Sequence, residues 1–540
     1  MKIKILFFLL LICTGLNAQS FQSAKTGGGS STDAGYAICT DSQGNVYTGG
    51  TFRNTAQFDG VSVTSRGHVD IFIAKYNSSG TLLWIKTAGS SYADELTRLR
   101  MSEDGFIYGY GNFSGKMILG LDTITASDFE PEDIFLFKMN TSGEFLWAKN
   151  YGGGSQNWPN DMQIKDNNII MTGYYIGGTF VAGSTTLQSF PSVFAGFVLK
   201  TDANGVPQWS KNTGGQTYVA MADDAFYMAT SLGGTRTFDE LTLTSNGPTD
   251  ALLTSYDYNG NRNWYKQYGG TGNEHMRSLC YNRATNSIYW GGCFYETMNV
   301  EGNTLVSNGQ SDIFIARFDT QGNNIWAKSY GGTGLDYTNA STVDAEGNFY
   351  IGGYFNNSVN FGQVTINSAG ASDSYAAKFN SNGNFQWVRN GGGSDMDNVF
   401  GMALGNNSDL YFLGFFQGSS SYGSLQIMSS GTTDYYQIKI SAITSIHSPR
   451  ETVNSYRLEQ NYPNPFNPST KISFNIPKAG GVKLKVMDIT GKEVAELVNA
   501  SMIAGSYEVN FNAENLSGGI YFYSLETANG VETKKMILVK

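Results

Sequence analysis

An acid recurs 14 or 15 residues before a repeated Tyr position, at Asp33, Asp94, Glu274, Asp336 and Asp397. Carboxylates at matching places in a repeat can do two kinds of work. Gathered around one channel mouth, they would hold a metal cation or a basic or hydroxylated ligand. Left apart, each would cap its own loop by accepting backbone N–H bonds. Two copies lack the acid, one carrying Gln156 or Asn157 and the other nothing equivalent. That irregularity favours the capping role.

A second pattern is Asx-x-x-Gly, at Asn77, Asn140, Asp202, Asp257, Asp319 and Asn380, each a few residues before a Trp. Calcium loops and quinone-cofactor repeats carry similar turns. These copies lack the acid density of a calcium loop, and several have Asn where an acid is needed. A hairpin turn with Gly at positive φ and the Asx side chain capping it accounts for them. No cofactor is expected.

Other chemistry is sparse. Only His68, His275 and His447 are present, too few and too scattered for a histidine metal cluster. Beyond Cys13, the cysteines are Cys39, Cys280 and Cys293, with no CxxC spacing. Cys280 and Cys293 flank one hairpin, but its turn sets Cys293 nearer Met276, so all three read as small buried apolar side chains. No G-x-S-x-G elbow, Walker loop or HExxH occurs. With a net charge of −10 and no Lys/Arg-rich run, nucleic acid and anionic membrane surfaces are excluded as partners.

The elements that must position these residues come from a repeat. A Tyr slot falls at Tyr47, Tyr108, Ile170, Tyr227, Tyr289, Tyr350 and Tyr411, in steps of 57 to 62 residues. An Asp slot keeps phase with it at Asp70, Asp133, Asp250, Asp312, Asp373 and Asp434, with Ala195 the exception. A fixed period this long marks a repeat architecture. In the sixth unit, alternating apolar residues flank the turn Asp344 to Asn348, Asp373–Phe379 reads as a third strand after a polar turn, and Phe385–Arg389 as a fourth. Four short antiparallel strands per unit describe a β-propeller blade. Trp marks the fourth strand at Trp84, Trp147, Trp209, Trp264, Trp326 and Trp387, but the seventh unit stops after its third strand. Ser23 to Gly29, ahead of the first unit, matches Trp147 to Gly153 in all but the Trp. An orphan fourth strand at one end and a missing one at the other predict a ring closed by its own N-terminal strand, which removes two exposed sheet edges. The expected fold is all-β: a seven-bladed β-propeller over 19–440, a linker over 441–455 and a small Ig-like β-sandwich over 456–540.

The phrases Asp312-Ile313-Phe314-Ile315-Ala316-Arg317 and Asp319-Thr320-Gln321-Gly322-Asn323-Asn324-Ile325-Trp326 resemble the SBBP β-propeller repeats of exported bacterial proteins. The fourth unit departs most, with Ser255 where other copies have Lys or Arg. This resemblance implies a propeller and says little about activity.

Lys2 and Lys4 precede an apolar run from Ile5 to Leu16, and Ala18 offers a cleavage site, so residues 1–18 read as a signal peptide. The run is too short to span a bilayer, which takes about 20 residues. No later stretch is apolar enough, so the mature chain is expected to have no transmembrane segment.

From Tyr456 the composition changes. Tyr462-Pro463-Asn464-Pro465-Phe466-Asn467, Thr490-Gly491-Lys492-Glu493-Val494, Leu516-Ser517-Gly518-Gly519-Ile520-Tyr521 and the ending Lys534-Lys535-Met536-Ile537-Leu538-Val539-Lys540 resemble the type A C-terminal sorting domain of the type IX secretion system. The resemblance implies a Bacteroidetes-like source and Sec export. It also implies recognition by the type IX machinery through the ending Lys534 to Lys540, then passage across the outer membrane to the surface or the medium. The function expected from the whole chain is a secreted or cell-surface propeller that binds a protein or glycan. The alternative is an extracellular carbohydrate-active or other hydrolytic enzyme on the same scaffold, since propeller enzymes gather carboxylates from different blades.

Overall fold

The computed structural model describes residues 19–127, 132–154, 156–188, 194–442, 456–478, 480–502, 505–528 and 530–540. The expected leader, and the expected linker from residue 443 onward, lie outside the described residues. Two compact units result, Ser23–Lys439 and a second built around Ile440–Lys540. Among the described residues the regular structure is β throughout, apart from a single 3₁₀ turn at Asn406–Ser408.

In the sixth repeat, strands Asp336–Val343, Phe349–Phe355, Asp373–Phe379 and Phe385–Gly393 pair in that order, each antiparallel to the next. Every repeat gives the same four-strand order among the described residues. In the last sheet the outer neighbour of Asp434–Ala442 is the N-terminal strand Gln19–Gly29. Each unit's first strand packs against that of the next, and Asp397–Leu404 of the last packs against Ala34–Thr40 of the first.

The segment between second and third strands, expected as a polar turn, folds as a further short hairpin in most copies, such as Ser358–Asn360 with Thr365–Asn367. In the fourth repeat the two main strands instead run on, as Phe226–Phe238 and Leu241–Tyr256. These hairpins reach back to the preceding unit. Gly27 pairs with Phe58, Gly269 with Asn299 and Gly392 with Ser421. The reach-back satisfies backbone groups at the end of each outer strand, where the sheet would otherwise present an edge.

That junction explains the Gly-Gly phrase. A Cβ on Gly331 would lie 2.2 Å from the Asp312 carboxyl carbon, and one on Gly332 would lie 1.7 Å from the Ser358 carbonyl oxygen. Gly28, Gly89, Gly152, Gly269 and Gly392 face the acids Asp434, Asp70, Asp133, Asp250 and Asp373 as closely. The strand-three Asp in turn accepts backbone N–H groups from its own approach loop, Arg66 to Asp70 at 3.0 Å and Ala369 to Asp373 at 3.1 Å.

The Asx-x-x-Gly turns dock on neighbouring units. Asp319 Oδ1 accepts from the N–H groups of Gln321 and Asn323 at 2.9 and 2.8 Å, and Gly322 has φ +79°. The bare face of Gly322 lies over the ring of Trp264 in the preceding unit, and Trp264 Nε1 donates to Thr320 O at 3.1 Å. Trp84, Trp209 and Trp326 donate to the next unit's turn in the same way. The Asx and Trp patterns are thus two halves of one clamp between sheets.

In the second compact unit, a three-stranded sheet (Arg457–Leu458, Ser469–Ile476, Gly505–Asn512) and a four-stranded sheet (order Glu493–Met502, Gly480–Met487, Gly519–Thr527, Gly530–Leu538) enclose one core. Its centre holds Phe474, Leu484, Tyr523 and Leu538. The Pro-rich entry and the final strand hold each other. Phe466 N donates to Ile537 O at 3.0 Å, Val539 N to Phe466 O at 2.9 Å, and Ile537 N to the Asn464 side chain at 3.0 Å. Lys534 to Leu538 therefore lie in a paired strand whose Met536 and Leu538 are buried.

Replacing Gly331 by Ala should destabilise the repeat unit by about 1–3 kcal/mol, because Asp312 is held by Asn308 and Ser307 and cannot yield. Gly233→Ala, whose Cβ would meet only ordinary contacts at 3.5 Å, should be close to neutral. Denaturant titration of both variants checks this, and equal midpoints would refute the contact's importance.

Candidate functional site

The five recurring acids do not line a channel mouth. Asp33, Asp94, Glu274, Asp336 and Asp397 are all fully buried. Asp33 accepts from Gly29 N at 2.8 Å and Arg53 N at 3.0 Å, Asp336 from Gly332 N at 2.8 Å, and Asp397 from Gly393 N at 2.9 Å and the Ser420 hydroxyl at 2.5 Å. Four of them share their junction with a strand-three acid of the preceding unit, whose charge raises their pKa: Asp70 acts on Asp94, Asp250 on Glu274, Asp312 on Asp336 and Asp373 on Asp397, while Asp33 raises the pKa of Asp434. Burial is the larger cause. It lifts Asp94, Asp336 and Asp397 to about 7 and Glu274 to about 9. One oxygen each of Asp70, Asp94, Asp336 and Asp373 has no hydrogen-bond donor. A proton held by the pair supplies one. Among the described residues no three His, Cys, Asp or Glu side chains converge as a metal site requires. Cys39, Cys280 and Cys293 are free thiols, with Cys293 opposite His275 rather than Cys280.

The residues that do converge come from a different position. In six first strands the pairing register slips by one residue, leaving Tyr36, Thr97, Asn160, Arg277, Asn339 and Phe400 bulged out of the ladder. A bulge turns its extra side chain away from the pleat. All six line a single cavity of about 260 Å³. The fourth repeat has no bulge in Thr217–Met221 and contributes Tyr218 and Gln216. A narrower space of about 80 Å³ shares part of this lining and adds Arg100, Asp161, Gln163, Cys280 and Ser341.

A signal for these residues is present in the sequence. Three residues after each Tyr slot stands Gly50, Gly111, Gly173, Gly292, Gly353 or Gly414 in the bulged copies, and Thr230 in the unbulged one. At the bulge the first strand's carbonyl turns into its partner. A Cβ on Gly353 would lie 1.9 Å from Tyr337 O, and one on Gly414 1.7 Å from Asn398 O. Glycine within a strand marks such a close approach.

Charge in the cavity is unbalanced. Asp161 Oδ1 accepts from Arg98 Nε at 2.9 Å and Arg100 Nη2 at 3.0 Å, while its Oδ2 takes Val219 N at 3.1 Å. Among the described residues Arg277 makes no ion pair; its guanidinium hydrogen-bonds Tyr218, and its Nε has no acceptor. Three guanidinium groups therefore face one buried carboxylate, Asp161, and the exposed Glu95.

Aromatic side chains cluster near the starts of several first strands, and Tyr36, Tyr218 and Phe400 line the cavity itself. Tyr36 and Phe400 lie with ring centroids 5.2 Å apart, Phe400 and Phe415 5.7 Å, Trp158 and Tyr174 5.0 Å, and Tyr337 and Tyr354 5.0 Å. Phe194 beside Trp158 is 54% exposed. Glu95 stands exposed among the lining residues. Glu132, which accepts from Asn112 at 2.8 Å, is raised above the usual carboxylate range by enclosure and by Glu95.

Residues 460–540 match the family described as the secretion system C-terminal sorting domain. An uncharacterised WD repeat-containing protein of Acanthamoeba polyphaga mimivirus is 21% identical over 493 residues, which covers 71% of this chain and 35% of that protein. The chain spans about a third of that relative's length. Among solved structures, a member of the DUF4221 family from Bacteroides vulgatus is similar over 62% of this chain and 93% of its own, with 11% identity and a TM-score of 0.30. The sorting domain indicates export by type IX secretion to the cell surface or the medium. Among the described residues no helix is long and apolar enough to cross a membrane.

The junction acids set a pH dependence. In an unfolded chain these carboxyls titrate near pH 4, whereas Asp94, Asp336 and Asp397 in the fold hold protons to about 7. Between those values the folded state binds more protons, so stability falls as pH rises through this window, by at most about 1.4 kcal/mol per pH unit for each group. The melting temperature should be higher at pH 5 than at pH 8, and Asp336→Asn should reduce the difference. A rise in stability from pH 5 to pH 8 would contradict the assignment.

Proposed function

We propose that the repeat unit is a closed seven-bladed β-propeller, of the SBBP type, that binds a glycan or protein ligand at the aromatic-rimmed end of its central cavity. The observation that carries this reading is the bulge position. Its residue type changes around the repeat, it faces the cavity, and it holds two aromatics, two amides, a Thr and an Arg. The Trp, Gly and Asp slots that hold the sheets together stay nearly uniform by contrast. A shallow surface mixing aromatic faces with amide and charged groups suits ligands that offer both apolar faces and hydroxyls. The chain is read as carrying a Sec leader over 1–18 and an Ig-like sorting sandwich over 456–540, engaged by the type IX machinery.

A second reading, a hydrolase using carboxylates, rests on Glu95 and Glu132, which sit close enough in one sector for Glu95 to raise the Glu132 pKa. Glycosidases use two carboxyls whose environments separate their pKa values.

A glycan array run beside a hydrolysis screen on the same polymers separates these readings. Binding without turnover is expected. Turnover lost in Glu95→Gln or Glu132→Gln would replace the binding reading with the enzymatic one. Fusing residues 456–540 behind a Sec-exported reporter should carry it across the outer membrane of a type IX-competent cell, and retention of the fusion in the periplasm would overturn the sorting role.

A further inference from the structure

We infer that the cavity selects an acidic sugar, one carrying a carboxylate or sulfate oxyanion on its ring, and that Arg277 is the residue that reads the anion. The inference rests on the binding reading above and narrows its ligand class. Three observations converge on it.

The first is charge. Asp161 already receives Arg98, Arg100 and a backbone N–H, and among the described residues it makes no ion pair with Arg277. Arg277 is half-buried, its guanidinium hydrogen-bonds Tyr218, its Nε lacks an acceptor, and among the described residues it makes no ion pair. A partly desolvated cation without its anion is costly, and the planar fork of a guanidinium matches the two oxygens of a carboxylate or sulfate. The second is shape. The cavity of about 260 Å³ amounts to the volume of about nine waters, enough for a sugar ring but too small for a folded protein segment. The third is the remainder of the wall. The rings of Tyr36 and Phe400 offer apolar faces to the C–H side of a sugar, while Asn339 can bond its hydroxyls. Asn339 Nδ2 donates to Asn398 Oδ1 at 2.9 Å, which fixes the amide from outside the cavity. All of these are bulge residues, so the backbone slip that creates the cavity also equips it.

The full mature chain, titrated with hexameric polygalacturonate, a sulfated carrageenan hexamer, neutral cellohexaose and inorganic sulfate, tests this. Binding of either acidic hexamer with Kd below about 1 mM is expected, weakened about tenfold or more in Arg277→Gln, with the neutral hexamer and sulfate alone both weaker by a similar factor. Tyr36→Leu, which leaves the charge in place, should weaken the acidic hexamers and leave any binding of inorganic sulfate unchanged. Unaltered melting of each variant shows that the fold persists. Absence of binding by both acidic hexamers overturns the inference. So does an affinity that Arg277→Gln leaves untouched, or sulfate alone binding as tightly as the sugars. Neutral-glycan or protein binding insensitive to Arg277→Gln sinks the acidic-sugar site but leaves the binding function standing. Hydrolysis of the hexamers would overturn the binding function instead.

Discussion

The contact between a glycine in one outer strand and an aspartate heading the third strand of the same sheet sets the spacing of the repeat. Gly331 lies so close to Asp312 that no larger residue fits, and the same holds at Gly28, Gly89, Gly152, Gly269 and Gly392. The aspartate is buried, binds the loop that enters its strand, and in most copies faces a second acid from the following unit. The following glycine admits the hairpin of the next unit, whose carbonyl would otherwise be displaced. Backbone closeness and a protonated acid pair thus meet at one point. Overpacking there would propagate, because interiors this dense transmit strain rather than absorb it.

Framework and specificity are separated by position in the sheet. The outer strands carry the Trp clamp and the Gly–Asp junction, which are nearly the same in each copy. The inner strands carry the bulge, where the residue type changes around the repeat. A bulge removes its residue from the ladder's constraints while the flanking pairs, such as Met276 with Gly292 and Ser278 with Gly291, hold it in place. Arg277 can therefore be an arginine where its counterparts are Tyr36 and Asn339 without altering the packing between sheets. The price of this freedom is the strand-two glycine, which the turned carbonyl requires.

The C-terminal unit is organised by its two ends. The Tyr462 to Asn467 segment and the last strand exchange hydrogen bonds, and Phe466 and Leu538 share the core. Phrases about 70 residues apart are therefore one structural feature.

Much of the repeat was legible without coordinates. Its period, the hairpin around Asp344 to Asn348, and the Asx turns follow from alternation and turn chemistry, which are local. The acids illustrate the opposite case: Asp336 and Asp397 recur in phase, but only packing reveals that each meets an acid from the neighbouring sheet and is withdrawn from solvent. The reach-back hairpins were missed for a similar reason, since Ser358–Asn360 is too short and polar to read as a strand until Gly331 supplies its partner. Sequence by itself determined an all-β repeat with a distinct, exported C-terminal module, because strand periodicity and motif order are written along the chain. Only the tertiary structure decided that the cavity is lined by Tyr36, Arg277, Asn339 and Phe400, because a bulge is a property of register between two strands, and the gathering of its side chains a property of how separate sheets pack together.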